Sequence, residues 1–214
     1  MKKIFLIFII YFISLNSSKA LIEVDITRGN LDPLPIAVSP LHVDIKSEEY
    51  EGLKIKELGS NISKIIERNF KSTGLFNPLA KEAFVQKPDI AHLKPRFEDW
   101  RLIKAQALVT GKLLVKDGKL KIEFRLWDLA AAKEMTALAF TTTPSNWRRV
   151  AHIISDKIYE RLTGEEGYFD TRIIYVAESG AKNERVKKLA IMDQDGANTK
   201  YLTLGNELVL TPRF

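Results

Sequence analysis

The chain has no cysteine at any of its 214 positions. Disulfides are therefore impossible, and a folded core must hold the molecule by itself. A lipid anchor on a cysteine behind a leader peptide is excluded for the same reason. Histidine is scarce: His42, His92 and His152 are the three present, and they lie far apart along the chain. His152 has a carboxylate at helical spacing, Asp156. Such an i, i+4 pair reads as a solvated helix pair rather than a metal site. The sequence has no G-x-S-x-G, P-loop or G-x-G-x-x-G motif. Asp193-x-Asp195-Gly196-x-Asn198 resembles the start of a calcium loop, but Leu204 stands where the distal glutamate belongs, so a hairpin turn is the better reading. No catalytic, cofactor-binding or metal-ligating residue is nominated, and no cofactor is implied. Charge is mild too. Half of the formal +6 excess sits on Lys2, Lys3 and Lys19, all within the first twenty residues. What remains is too small to argue for nucleic acid.

Those first residues carry a pattern of their own. Lys2 and Lys3 are followed by the uncharged run Ile4 to Ile13, and then by small and polar residues from Ser14 to Ala20. That is the three-part form of a secretory signal peptide. Ser18 and Ala20 occupy the −3 and −1 positions of a cleavage between Ala20 and Leu21. An uncleaved membrane anchor is the competing reading, but a spanning helix needs about 20 apolar residues, and this run breaks at Ser14 and Asn16. Residues 1–20 are therefore expected to be a signal, with no stable membrane insertion after its removal.

Residues 21–34 read as an arm. Ile22, Val24 and Ile26 alternate with Glu23, Asp25 and Thr27, which is strand periodicity. Arg28 follows, Gly29 and Asn30 end the strand, and Asp32-Pro33-Leu34-Pro35 forms a stiff extended linker. A strand on a spacer suits an edge strand of the domain itself or a segment that pairs with a partner's sheet. In the first case Ile22 and Ile26 simply cap the domain's own sheet.

Residues 35–166 read as one α/β domain. Pro35 to Leu41 is a buried strand. A helix is expected from about Leu53 to Thr73, with Leu58, Ile62, Ile65, Ile66 and Phe70 on one face and Gly74 as its cap. Gly59 weakens that helix by about 1 kcal/mol relative to alanine, so its first turn is expected to be irregular. Leu75 to Leu79 is extended, and Phe97 to Lys104 is a short helix. Ala107 to Val115, Leu120 to Leu129 and Glu134 to Thr143 form an antiparallel meander with one buried face. Asp117-Gly118 supplies its first turn. A second long helix runs from about Ser145 to Leu162 and ends at Gly164. Trp147-Arg148-Arg149 at its start reads as a helix beginning with one buried aromatic rather than a contact patch. The expected architecture is a mixed sheet carrying two main helices.

After Gly167 the grammar changes. Thr171 to Ala177, Val186 to Met192 and Tyr201 to Leu204 are short strands, with Asp193 to Gly196 turning between two of them. This is how a β-propeller blade begins. The chain stops at Phe214 without a closing strand, so residues 167–214 are expected to be the truncated start of a propeller.

The segment Leu162-Thr163-Gly164-Glu165-Glu166-Gly167-Tyr168-Phe169-Asp170-Thr171-Arg172-Ile173-Ile174-Tyr175-Val176 resembles the junction between the α/β domain and the propeller of the TolB family. Ala190 to Asn198, with Leu208 to Phe214, is similar to that family's first blade. Ser72 to Pro78 is similar to its first-helix exit. The resemblance covers the whole chain after Ala20. It implies a periplasmic, non-catalytic adaptor of the Tol-Pal system, supporting outer-membrane integrity and constriction during division. It implies that the arm (Leu21, Ile22, Glu23, Val24, Asp25, Ile26, Thr27, Arg28, Gly29, Asn30, Leu31 and Asp32) binds the C-terminal domain of TolA. It places Pal on the propeller, most of which is absent here. The chain departs from better-known members at Glu23, Asp25 and Arg28. A competing class is the front of an exported hydrolase, because propellers of similar grammar precede the catalytic domain in some serine peptidases.

Overall fold

The structure, a computed structural model, describes Ile22, residues 32–44, residues 54–205 and Pro212. Strands β1 (Leu34–Val38), β2 (His42–Val43) and β3 (Phe76–Pro78) precede the meander β4 (Ala107–Lys116), β5 (Lys119–Asp128) and β6 (Lys133–Thr142). They form one sheet in the order β3-β1-β4-β5-β6, with β2 also paired to β4. β1 runs parallel to both β3 and β4, whereas β4, β5 and β6 are antiparallel. Asp117 and Gly118 both take positive φ, 52° and 67°, as the expected two-residue turn between β4 and β5 requires.

Helices α1 (Ile55–Thr73) and α4 (Trp147–Thr163) cover one face of this sheet. Leu58, Ile62, Ile65, Ile66 and Phe70 of α1 meet Val150, Ile154, Ile158 and Leu162 of α4 over Ile36, Val38, Val109, Ile122, Phe124 and Leu126. Each fully buried side chain of this kind is worth about 1.5–3 kcal/mol against exposure. The helices end at Gly74 and Gly164, as expected.

Two expectations for the first domain are corrected. The meander does not bury one face alone. Ala37, Leu108, Trp127 and Leu129 point to the opposite face and form a second core with Ala91, Trp100 and Ala105. Their partners come from α2 (Pro88–Ala91), α3 (Phe97–Leu102) and the turn after it. Side chains alternate across a strand, so β4 is apolar at consecutive positions where both faces are covered. The indole N–H of Trp127 donates to Thr110 Oγ1 at 2.9 Å, and that of Trp100 to Gln86 Oε1 at 2.9 Å. Both polar atoms are thereby satisfied in the interior.

The second correction concerns Gly59, which sits inside a regular helix. A Cβ there would lie 2.0 Å from the Leu41 carbonyl oxygen, and the Leu41 N–H donates to the Gly59 carbonyl at 3.1 Å. Glycine lets the chain between β1 and β2 lie directly on α1. Its weak helix propensity is the condition of that contact.

Beyond α4, strands β7 (Arg172–Ser179), β8 (Val186–Asp193) and β9 (Lys200–Tyr201) form a separate antiparallel sheet in that order. The third strand is shorter than the sequence suggested: Leu202, Thr203 and Leu204 lie outside it. No helix among the described residues is long and apolar enough to cross a membrane.

Candidate functional site

Two places are of functional interest, the arm and the junction between the sheets. Of residues 21–34, Ile22 and residues 32–34 are described, and Leu34 is already part of β1. Ile22 is half-buried and packs against the main core. Asp32 is exposed just before β1. Leu21, Glu23, Val24, Asp25, Ile26, Thr27, Arg28, Gly29, Asn30 and Leu31 lie outside the described residues, as does Ala20 of the cleavage site.

The junction is built from residues that sequence reasoning treated separately. The chain leaves α4 at Gly164 and returns along the same helix. Phe169 is fully buried in the main core, edge-on to Tyr159 with ring centroids 5.8 Å apart. Asp156 holds the segment in place: its carboxylate accepts from the Phe169 N–H at 2.6 Å and the Asp170 N–H at 3.0 Å. A Cβ on Gly167 would fall 2.4 Å from Asp156 Cα, so the segment lies too close to α4 for a side chain there. Burial pushes the Asp156 carboxyl above its ordinary range, although those two backbone N–H groups pull the other way. Arg149 adds a pair to Asp170 at 3.1 Å.

A second set of contacts reaches the turn after β8. Arg148 Nη2 donates to Asp195 Oδ2 at 2.5 Å, and Arg68 Nη1 of α1 stands 3.8 Å from the same oxygen. Gln194 Nε2 donates to Asn69 Oδ1 at 3.1 Å, across 125 residues of sequence. Asn69 in turn donates to His152 Nδ1 at 3.1 Å and to Ser155 Oγ at 2.9 Å. Burial opposes the charge on Asp195, yet the Ala197 N–H, Arg148 and His152 outweigh it and hold the carboxyl below its usual range. His152 is 2% exposed. Burial lowers its pKa; Asp195 opposes that shift and Arg148 adds to it. Among the described residues its Nε2 has no hydrogen-bond partner, and it lies 3.8 Å from Asp195 Oδ2.

The expected solvated pair of His152 and Asp156 is thus corrected. One is buried between the two long helices and the second sheet; the other is a backbone clamp. The Asp193 to Gly196 turn forms as expected, with the Asp193 N–H donating to the Ala197 carbonyl at 2.9 Å. Arg148 and Arg149 tie α4 to the second sheet, while Trp147, expected as a buried aromatic, is half-buried against the main core. Beside them lies a polar cavity of about 390 Å³, lined by Arg148, Arg149, His152, Asp170, Arg172 and Asp193 among others.

His152, Asp193 and Asp195 each bring one ligand atom within 4.8 Å of the other two. The donor set does not suit a metal ion. Two guanidinium groups already face Asp195, and a cation would repel both. The Asn69 N–H also occupies Nδ1, the nitrogen that must carry the proton if neutral imidazole binds a metal through Nε2.

Elsewhere, the fold brings His42 and His92 together, with rings stacked at a centroid distance of 4.4 Å and 4° between planes. Burial and the neighbouring His92 hold His42 below its ordinary value. Nothing in their sequence spacing marks this pair.

Comparison with known proteins places this arrangement. A family model described as the TolB amino-terminal domain matches residues 22–135. A second, the TolB beta propeller domain, matches residues 159–214. The Tol-Pal system protein TolB of Pelagibacter ubique (strain HTCC1062) is 70% identical over 210 residues, which cover 97% of this chain and 47% of that protein. The crystal structure of TolB from Acinetobacter baumannii superposes with a TM-score of 0.69 at 22% identity, over 90% of this chain and 44% of that one. The chain spans about half the length of the relatives it matches.

Proposed function

The chain belongs to the TolB family, and from that premise we propose that it acts as a periplasmic, non-enzymatic component of the Tol-Pal system. The observation that carries this reading is the 70% identity to the Tol-Pal protein of Pelagibacter ubique across nearly the whole chain. Residues 1–20 direct export and are removed between Ala20 and Leu21. Residues 21–33 form the partner-binding arm, because Leu34 already belongs to β1 and the main core; residues 34–166 are the α/β domain and 167–214 the beginning of the propeller.

The arm engages the C-terminal domain of TolA, through main-chain hydrogen bonds to a sheet edge and through Ile22, Val24 and Ile26 as anchors. Ile22 gives this a thermodynamic frame. Its half-buried contact with the main core must be given up for a partner to take the arm, a cost of about 1 kcal/mol. Pal is assigned to the propeller, so the residues present here carry the TolA-facing half of the link between inner and outer membranes. Support for outer-membrane integrity and constriction follows from that link.

Deletion of Leu21 to Asp32 tests the arm. The shortened chain is expected to keep the circular dichroism and melting behaviour of the α/β domain and to lose TolA capture. Equal TolA affinity with and without these residues contradicts the assignment.

A further inference from the structure

We infer that His152 is a proton-sensitive latch at the junction: protonating its ring disengages Asn69 from Gln194 and loosens the three-stranded sheet from the helices that hold it. The inference does not depend on the partner assignment above.

The hydrogen-bond network fixes the state of the ring. Ser155 Oγ has one proton and gives it to the Ala151 carbonyl at 2.9 Å. It therefore accepts from Asn69 Nδ2, 2.9 Å away. That sets the Asn69 amide, with its other N–H on His152 Nδ1 at 3.1 Å and its oxygen on Gln194 Nε2 at 3.1 Å. His152 Nδ1 is an acceptor, so the neutral ring carries its proton on Nε2. A second proton must go to Nδ1, where it meets the Asn69 N–H head-on. Relief requires the Asn69 amide to turn over. Its N–H then faces the Gln194 amide nitrogen, and the bond across the junction is lost until the Gln194 side chain swings round to present its oxygen.

The charges around the ring set the direction. It is faced by Asp195 from the turn after β8, Asp193 from the end of β8, Asp170 from the approach to β7, and Arg148 from its own helix. Asp156 lies one turn further along α4, and Arg68 of α1 reaches Asp195. The carboxylates favour a charged ring; burial and Arg148 oppose it and prevail. The closed junction therefore binds the proton less well than an open one, and acid favours opening. The closed state's advantage is complete above the ordinary histidine value of about 6.5. It declines as the pH falls from there through the lowered value of the buried ring. Each unit of lowering changes the open-to-closed ratio about tenfold. Asp156, held high by burial, contributes with the opposite sign, and it is retained in the variant below.

The absence of cysteine permits a direct test. Lys71→Cys on α1 and Lys182→Cys in the β7–β8 turn, both exposed positions, take a pair of spin labels on the chain. One narrow distance distribution is expected near pH 8, and a second population should grow as the pH falls below about 6.5. In the same labelled chain, His152→Asn offers an amide oxygen in place of Nδ1 and cannot be protonated, so that growth should be absent. An unchanged distribution in the unsubstituted background, or equal opening in His152→Asn, overturns the latch. If His152→Asn fails to fold, the imidazole ¹⁵N spectrum of the otherwise native chain decides. An Nε2–H tautomer titrating below about 6.5, with the distance change on the same midpoint, supports the latch. An Nδ1–H tautomer, or a midpoint at or above about 6.5, overturns it.

Discussion

The two sheets of this chain are held by different physics. In the six-stranded sheet, Leu120, Ile122, Phe124 and Leu126 of β5 are all at most 1% exposed, and helices cover it on both sides. In the three-stranded sheet, Ala190 is the fully buried apolar side chain of the described strands, while Ile173, Val186 and Tyr201 stand 40% or more exposed. A propeller blade leaves its faces to its neighbours. The first sheet thus carries its own core. The second is tethered by one buried aromatic, Phe169, and by a set of polar contacts to α1 and α4. Apolar burial is non-directional and large, whereas polar tethers fix an orientation and respond to pH.

The widest gap between the regions should come from truncating their apolar residues. Phe124→Ala empties a fully buried site and should destabilise the domain by about 3–5 kcal/mol, read from denaturant midpoints. Ile174→Ala in half-buried β7 should leave the main unfolding transition nearly in place. An equal loss from both would erase the distinction between the sheets.

Asp156→Ala comes next. It strips the Phe169 and Asp170 N–H groups of their shared acceptor and should cost about 2 kcal/mol. The loss should appear as faster amide exchange at those two residues and across β7 and β8, with β4 and β5 still protected. Gly59→Ala should act on the first region with a sign opposite to helix propensity. Propensity alone predicts a gain of about 1 kcal/mol. The contact with the Leu41 carbonyl predicts a loss of about 1–3 kcal/mol instead, measurable by thermal unfolding. The smallest effect belongs to exposed ion pairs. Lys157 and Glu160 lie 2.8 Å apart on the surface of α4, and Lys157→Ala should not move the unfolding midpoint detectably, because solvent screens such pairs.

What could be read from the sequence divides along the same line. Features governed by local periodicity were legible. The three meander strands, the Asp117-Gly118 turn, the short helix from Phe97 and the ends of α1 and α4 at Gly74 and Gly164 lie close to where spacing and capping put them. Features made by distant residues were not. Trp127 alternates with Leu126 and so resembles an outward position, and the packing of Phe97, Trp100, Ala91 and Leu108 reveals that the outward face is covered. Asp156 and His152 look like a surface pair until Phe169, Asp170 and Asp195 fold back onto them. Gly59 carries a propensity penalty in sequence and a close backbone contact in space. The strand pattern expected from Leu21 to Leu31 lies outside the described residues except at Ile22.

Native-state hydrogen exchange across both sheets is the most direct measurement of this division. If the second sheet hangs on the junction, amides of β7 and β8 should exchange through an opening of lower free energy than those of β4 and β5. Asp156→Ala should lower the first value and leave the second unchanged. A single opening energy shared by all four strands, falling together in Asp156→Ala, would contradict it.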